Sequence, residues 1–139
     1  AVVITRAETV NGGIRVGRDV QVARSLRTVN GSIRTEAGTA IGERVETVNG
    51  KIALRRTRVV NDIQTANGDI ALRTGSVVEG DIIVRGRRSW FDRLFTFHRR
   101  PSAIVIDADS AVRGDIHLYR QTDLRIADGA EVGDIIEHF

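Results

Sequence analysis

The sequence predicts an all-β protein, a single-stranded right-handed parallel β-helix of about six coils with three short strands in each. The first observation behind this fold is a Thr-Val-Asn-Gly-x-Ile motif that recurs with glycine spacings of 19, 19 and 18 residues. The second is the alternation of apolar and polar residues between the motifs, as in Ile14-Arg15-Val16, which is typical of strands with one buried face. A helical solenoid would need apolar residues at 3.6-residue spacing, and residues 1–84 do not supply it. Right-handed crossover is the rule for parallel strands.

The repeated motif predicts a corner at the same place in each of four successive coils. Stacked asparagines are expected to hydrogen-bond along the solenoid, and the glycine beside each is expected to adopt the left-handed conformation. The corner ladder consists of Asn11, Gly12, Asn30, Gly31, Asn49, Gly50, Asn67 and Gly68.

Alignment of the repeats sorts the apolar residues into five columns that are expected to face the core. These columns are Val10, Val29, Val48 and Ala66; Ile14, Ile33, Ile52 and Ile70; Val16, Thr35, Leu54 and Leu72; Val22, Ile41 and Val59 or Val60; and Leu26, Val45 and Ile63. A further column is expected to be a solvated face on which charge alternates, and it contains Glu8, Arg27, Glu46 and Gln64.

After residue 74 the corner changes to Gly-Asp-Ile, with the aspartates at positions 81, 115 and 134. The step from Gly68 to Gly80 is shorter than one coil, so we expect Gly80 to mark a different corner, two faces further along. The same design continues to the end, and the sequence predicts a single β-helix domain over residues 1–139.

One segment, residues 87–101, interrupts the strand pattern and is expected to be a short helical insertion within the domain. Its apolar residues fall on one face of a helical turn, Ser89 is a candidate N-cap, and Pro101 would end the element. The candidate contact residues are Trp90, Phe91, Leu94, Phe95, Arg87, Arg88, Arg93, Arg99 and Arg100. Three roles stay open for this segment: packing over the solenoid, docking a protein partner or a second copy, and binding an anionic membrane surface.

The amino-acid composition argues against several classes of function. The net charge is +3, from 21 basic and 18 acidic residues, which argues against a dedicated or sequence-specific nucleic-acid binder. The chain has no cysteine, so disulfides and thiolate metal sites are not available to it. Because it does not begin with methionine, we expect either a removed export signal or a fragment. An exported location, periplasm or cell surface, is favoured over the cytoplasm.

The carboxylates do not form a recognisable catalytic pair. Aspartate beside a turn glycine usually accepts hydrogen bonds from backbone amides, and strands without aromatic residues are unlike a sugar-binding cleft. Ile136 rather than His138 holds the position equivalent to His117, so the histidines are not expected to come together as metal ligands. We therefore expect no catalytic residues, no cofactor and no metal, while a carbohydrate ligand stays open.

The four corners, from Thr-Val-Asn-Gly-Gly-Ile to Thr-Ala-Asn-Gly-Asp-Ile, resemble the adhesin-like β-helix repeat families of bacteria over residues 8–84 and more loosely over 102–136. The resemblance implies a non-enzymatic, exported or envelope-associated structural protein that presents a rigid solenoid surface to a partner. Residues 127–135 also look like bactofilins, which implies the alternative of a polymer-forming scaffold. A carbohydrate-active β-helix enzyme is the third alternative.

Overall fold

A computed structural model describes residues 2–85, 102–119 and 122–138, and these form a β-solenoid of three parallel sheets. The predicted fold class is therefore confirmed. The predicted helical insertion, residues 87–101, lies outside the described residues.

Each of the six complete coils contributes one short strand to each of the three sheets, and the last two strands extend only sheets A and B. Sheet A contains β1 (Val2–Ile4), β4 (Val20–Val22), β7 (Ala40–Ile41), β10 (Arg58–Val59), β13 (Val77–Val78), β16 (Ala111–Val112) and β19 (Glu131–Val132). Sheet B contains β2 (Ala7–Asn11), β5 (Leu26–Asn30), β8 (Val45–Asn49), β11 (Ile63–Thr65), β14 (Ile82–Val84), β17 (Ile116–Leu118) and β20 (Ile135–Glu137). Sheet C contains β3 (Ile14–Val16), β6 (Ile33–Thr35), β9 (Ile52–Arg55), β12 (Ile70–Arg73), β15 (Ser102–Ile106) and β18 (Thr122–Ile126).

Four of the five predicted core columns are confirmed. Ile33 pairs with Ile52 and Ile52 with Ile70, and all three side chains are fully buried. The column beginning at Val22 and Ile41 continues with Val59, whereas Val60 points to solvent. Burial of each such aliphatic side chain contributes about 1.5–3 kcal/mol, so the stacked columns are the main source of stability.

The turn from sheet C to sheet A contains a column of buried hydroxyl groups that the sequence did not reveal. Its members are Thr39, Thr57, Ser76 and Ser110. The Thr39 hydroxyl donates to the carbonyl of Glu36 at 2.8 Å, and the Ser76 hydroxyl donates to the carbonyl of Arg73 at 2.9 Å. Each bond joins two ends of one turn, so it closes that turn while the side chain stays inside the solenoid.

One repeat is a residue shorter than its neighbours, and the difference lies in the same turn. Asn30 and Asn49 are 19 residues apart along the chain, whereas Asn49 and Asn67 are 18 residues apart. Thr35 pairs with Leu54 at the longer spacing and Ala40 pairs with Arg58 at the shorter one. The missing residue therefore lies between Leu54 and Arg58, in the turn from sheet C to sheet A, and the strand pairing of all three sheets is retained.

Thr74 lies in the next such turn with a φ of 50°, a region that β-branched residues rarely adopt. We expect Thr74→Asn to raise the free energy of unfolding by about 1 kcal/mol, because asparagine tolerates the left-handed conformation. Urea denaturation measures the change, with Thr5→Asn as the control at an exposed threonine without positive φ. Equal effects of the two substitutions would contradict backbone strain at Thr74.

The phase change predicted after residue 74 is confirmed. Gly68-Asp69-Ile70 leads into β12 of sheet C, whereas Gly80-Asp81-Ile82 leads into β14 of sheet B. Two faces of the coil separate the two glycines, as their short spacing in the sequence indicates.

Candidate functional site

The corner asparagines form the expected ladder. Asn30 Nδ2 donates to Asn11 Oδ1 at 3.1 Å, Asn49 Nδ2 to Asn30 Oδ1 at 2.9 Å, and Asn67 Nδ2 to Asn49 Oδ1 at 2.9 Å. Each amide thus connects its coil to the preceding one along an edge of the solenoid. This part of the predicted corner ladder is confirmed.

The predicted left-handed conformation of the corner glycines is wrong. Gly31, Gly50 and Gly68 have no positive φ, and the φ of Gly12, 157°, is close to extended backbone. The structure gives a different reason for glycine at this corner. A Cβ atom on Gly50 would lie 1.8 Å from the carbonyl oxygen of Gly31, and one on Gly31 would lie 2.0 Å from that of Gly12. Glycine is needed because the backbones of successive coils touch there.

The corner valines were predicted to face the core, and this prediction is wrong. Thr28 and Thr47 point inward and are buried, while Val10 is 62 % exposed and Val29 and Val48 are half-buried on the outer side. The buried hydroxyls donate to corner carbonyls, Thr28 to Gly12 at 2.9 Å and Thr47 to Gly31 at 3.1 Å. These hydrogen bonds satisfy the threonines inside the solenoid and leave the valines outside. We call the outward column of Val10, Val29, Val48 and Ala66 the corner strip.

A second ladder runs along the corner that leads into sheet B and consists of aspartates. Asp62 Oδ1 accepts the backbone N–H of Asp81 at 2.8 Å, Asp81 Oδ1 that of Asp115 at 2.8 Å, and Asp115 Oδ1 that of Asp134 at 2.9 Å. Asp69 occupies the other corner, where Oδ1 accepts the N–H of Ala103 at 2.9 Å. The predicted binding of backbone amides by these carboxylates is confirmed for Asp69, Asp81 and Asp115.

Asp62 offers a test of that role. Asp62→Ala is expected to lower the free energy of unfolding by about 1 kcal/mol, because the partly buried N–H of Asp81 loses its acceptor. Asp62→Asn keeps an acceptor oxygen and removes one charge from a column of like charges, so its stability is expected to match the wild type or exceed it slightly. Chemical denaturation compares the two. A large loss with asparagine would mean that the charge itself is required.

Sheet B carries a cluster of three groups with the chemistry of metal ligands: Asp81, Asp115 and His117. One ligand atom from each lies within 4.8 Å of the others, and His117 Nε2 is 3.4 Å from Asp81 Oδ2. All three side chains are half-buried. The cluster forms because Asp81 and Asp115 precede successive strands and His117 points outward from the second.

His138 also joins this cluster, which corrects the expectation that the histidines stay apart. His117 pairs with Ile136, as predicted, but His138 lies diagonally across the ladder. His117 Nδ1 is 3.2 Å from His138 Nε2, and the rings stack with centroids 5.4 Å apart. Tyr119 stacks on the His138 ring at 4.3 Å. The sequence does not reveal this grouping, because Asp81 and Asp115 lie 34 residues apart instead of 19.

Two carboxylates and an imidazole are ligands that suit first-row divalent metals. Each aspartate, however, already uses Oδ1 for a backbone N–H, so only its Oδ2 is free for other contacts. With a charged imidazole, the same atoms form an ion pair between His117 and Asp81. The arrangement thus offers ligand atoms to a cation, while the two Oδ1 atoms have a structural role.

The residues of the charged outward column of sheet B pair as predicted, but not all of them are exposed to solvent. Glu8 pairs with Arg27, Arg27 with Glu46 and Glu46 with Gln64. Gln64, however, is only 6 % exposed, and its Oε1 has no hydrogen-bond partner among the described residues. The solvated face therefore ends at Glu46.

The predicted contact residues of the insertion, Trp90 and its neighbours in residues 87–101, lie outside the described residues. Their assignment to a partner or a membrane surface stays a prediction. In residues 2–85, 102–119 and 122–138, no helix has the length and apolar character needed to span a membrane.

Comparison with known proteins adds no assignment, because no protein family, curated protein or solved structure matches this chain.

Proposed function

We propose that this chain is a non-enzymatic structural protein that presents a rigid solenoid surface to a protein partner. The corner strip is the observation that carries the proposal. Val10, Val29 and Val48 form an outward apolar row in successive coils, beside the exposed asparagine ladder. A continuous apolar row on the surface is typical of a protein-contact site. An exported location, as expected from the sequence, is part of the proposal, and fractionation of the full-length protein tests it.

The polar residues support a structural role. Asp62, Asp81 and Asp115 each accept a backbone N–H of the next coil, which is a sufficient reason for their presence. Sheet B also has a shallow depression that is lined by charged residues of both signs. Two of them, Arg6 and Glu8, have side chains 3.8 Å apart. Arg6 and Glu8 thus form an ion pair on this surface.

Variants of the corner strip test the proposal in the source organism. In the full-length protein, the double variant Val29→Glu, Val48→Lys places opposite charges on adjacent coils, which should preserve the fold while removing the apolar surface. We expect loss of biological function with an unchanged circular dichroism spectrum and Tm. Gln21→Glu with Ala40→Lys is the matched control, because it introduces the same two groups at paired positions on sheet A.

The same assay separates a structural role from catalysis. Asp115→Asn and His117→Gln should both retain function if the chain acts through its surfaces. A folded Asp115→Asn variant without function would instead point to chemistry at the aspartate–histidine cluster.

A polymer-forming scaffold is the second candidate. The observation in its favour is that the same column positions recur in every described coil, with all three sheets in continuous register. A coil from another copy would thus meet matching side chains. Electron microscopy of the full-length protein should show filaments of uniform width if this candidate is correct, whereas particles that stay monomeric at high concentration would oppose it.

A further inference from the structure

Sheet C carries like-charged residues in direct register on its outer side. Arg15 pairs with Arg34, and Arg55 pairs with Arg73, one coil apart in each case. All four side chains are exposed. Arg55 lies 3.9 Å from Glu36, while Arg15, Arg34 and Arg73 form no ion pair with any residue in the described part of the chain. We call these four residues the arginine face.

The arginine face differs from sheet B, where the same architecture avoids like-charge contacts. The sheet B column alternates in sign through Glu8, Arg27 and Glu46. Like charges directly opposite one another in a sheet are destabilising, and opposite charges are favourable. Glu36 lies beside Arg55, and Asp107 follows Arg73 in the same column. Arg15 and Arg34, by contrast, pair in a column that contains no carboxylate, so this pair reduces stability and is suited to an external anion.

The position between the two arginine pairs holds a small side chain. Ala53 pairs with Arg34, and Arg55 follows Ala53 by two positions on the same face of the sheet. The methyl side chain of Ala53 does not cover the guanidinium of Arg34, while Glu36 lies on the same face at 3.9 Å from Arg55. A guanidinium binds phosphate or sulfate through two parallel hydrogen bonds, which a point charge does not reproduce.

We propose that the arginine face binds a linear polyanion carrying phosphate or sulfate groups, which lies along the solenoid axis. Successive coils are about 4.8 Å apart, so each arginine pair places two positive charges in succession along the axis. The second pair is displaced from the first by two positions along the strand. A bilayer suits this face less well, because Ala53 separates the arginine pairs where a large apolar side chain would be needed to enter the acyl region. This site is separate from the corner strip and goes beyond the proposed function.

Binding measurements with heparin, inorganic polyphosphate and duplex DNA test the proposal and identify the source of the anionic groups. The double variant Arg15→Ala, Arg34→Ala should weaken binding about tenfold or more at low salt. It should also reduce the slope of log K against log salt by about 1 for each arginine that no longer neutralises an anionic group. Arg27→Ala with Arg44→Ala is the matched control, because it removes the same charge at exposed positions away from sheet C.

The Tm of the free protein provides a second test, which needs no bound polyanion. Arg34→Glu would give sheet C the alternating pattern of sheet B, so we expect it to raise the Tm of the free protein while it weakens polyanion binding. Added polyanion should raise the Tm of the wild type and leave that of the variant almost unchanged. A lower Tm for the variant would contradict repulsion within the pair.

Other outcomes would overturn the proposal. Equal loss of binding in the control pair would assign the effect to overall charge. Undiminished binding in the double variant, with loss on substitution of Arg87 and Arg88, would assign it to the insertion. Binding to phosphatidylserine vesicles without binding to any soluble polyanion would assign the face to a membrane.

Discussion

Replacement of Gly50 by alanine is expected to lower the free energy of unfolding by about 3 kcal/mol. The new methyl carbon would lie 1.8 Å from the carbonyl oxygen of Gly31 and 2.5 Å from its carbon. Both atoms belong to the backbone of the preceding coil, so no side chain is able to rotate away. Relief requires that two coils move apart, which would stretch the ladder hydrogen bonds on either side of the corner.

Gly17 provides the matched control, because a Cβ atom there would meet no other atom within 4 Å. Gly17→Ala is expected to change stability by less than about 0.5 kcal/mol. Urea denaturation, with the m-value monitored to confirm two-state unfolding, measures both variants. Equal losses would indicate a general requirement for glycine, and a neutral Gly50→Ala would show that the coils are able to separate.

Two buried threonines in equivalent positions are expected to respond differently to replacement by valine. Thr47 and Thr65 are paired and are each 1 % exposed. The Thr47 hydroxyl donates to the Gly31 carbonyl at 3.1 Å, whereas the Thr65 hydroxyl has no hydrogen-bond partner among the described residues. Thr47→Val should cost about 1–2 kcal/mol because it leaves that carbonyl without its donor. Thr65→Val removes an unsatisfied buried hydroxyl and should be neutral or stabilising.

Thermal and urea unfolding of the two single variants and of the double variant determine these values. Since Thr47 and Thr65 are neighbours, the double variant also reports whether their effects add. Similar losses for both would mean that a water molecule or a shifted carbonyl satisfies Thr65.

The isoleucine columns were predictable because a buried strand in a repeated coil repeats its side chain at every turn, as Ile33, Ile52 and Ile70 do. The corner was harder to predict because hydrophobicity and strand alternation disagree there. Alternation starting from Leu26 places Thr28 inside and Val29 outside. Hydrophobicity favours the opposite arrangement, and the carbonyl that satisfies Thr28 becomes visible only in three dimensions.

The cluster around His117 could not be predicted from the sequence for a different reason. Its members come from coils separated by the insertion, so their spacing in sequence differs from that of the other coils. His138 approaches His117 diagonally, whereas an alignment of the repeats brings together only residues that pair directly. The arginine face is visible in the sequence as the repeated Ile-Arg and Leu-Arg pairs, but a small net charge does not reveal how charge is distributed over individual faces.

The strand register is the same on both sides of the insertion, although the insertion lengthens one coil. Asp81 and Asp115 are 34 residues apart and Asp62 and Asp81 are 19 residues apart, yet each pair meets in the same ladder. The solenoid therefore accommodates the additional segment between β14 and β15, at the corner joining sheets B and C, without displacing a pairing partner. Strand pairing depends on position around the coil and not on distance along the chain. Because the pairing on both sides is retained across this segment, we expect a peptide tag introduced at this corner to leave the coils intact.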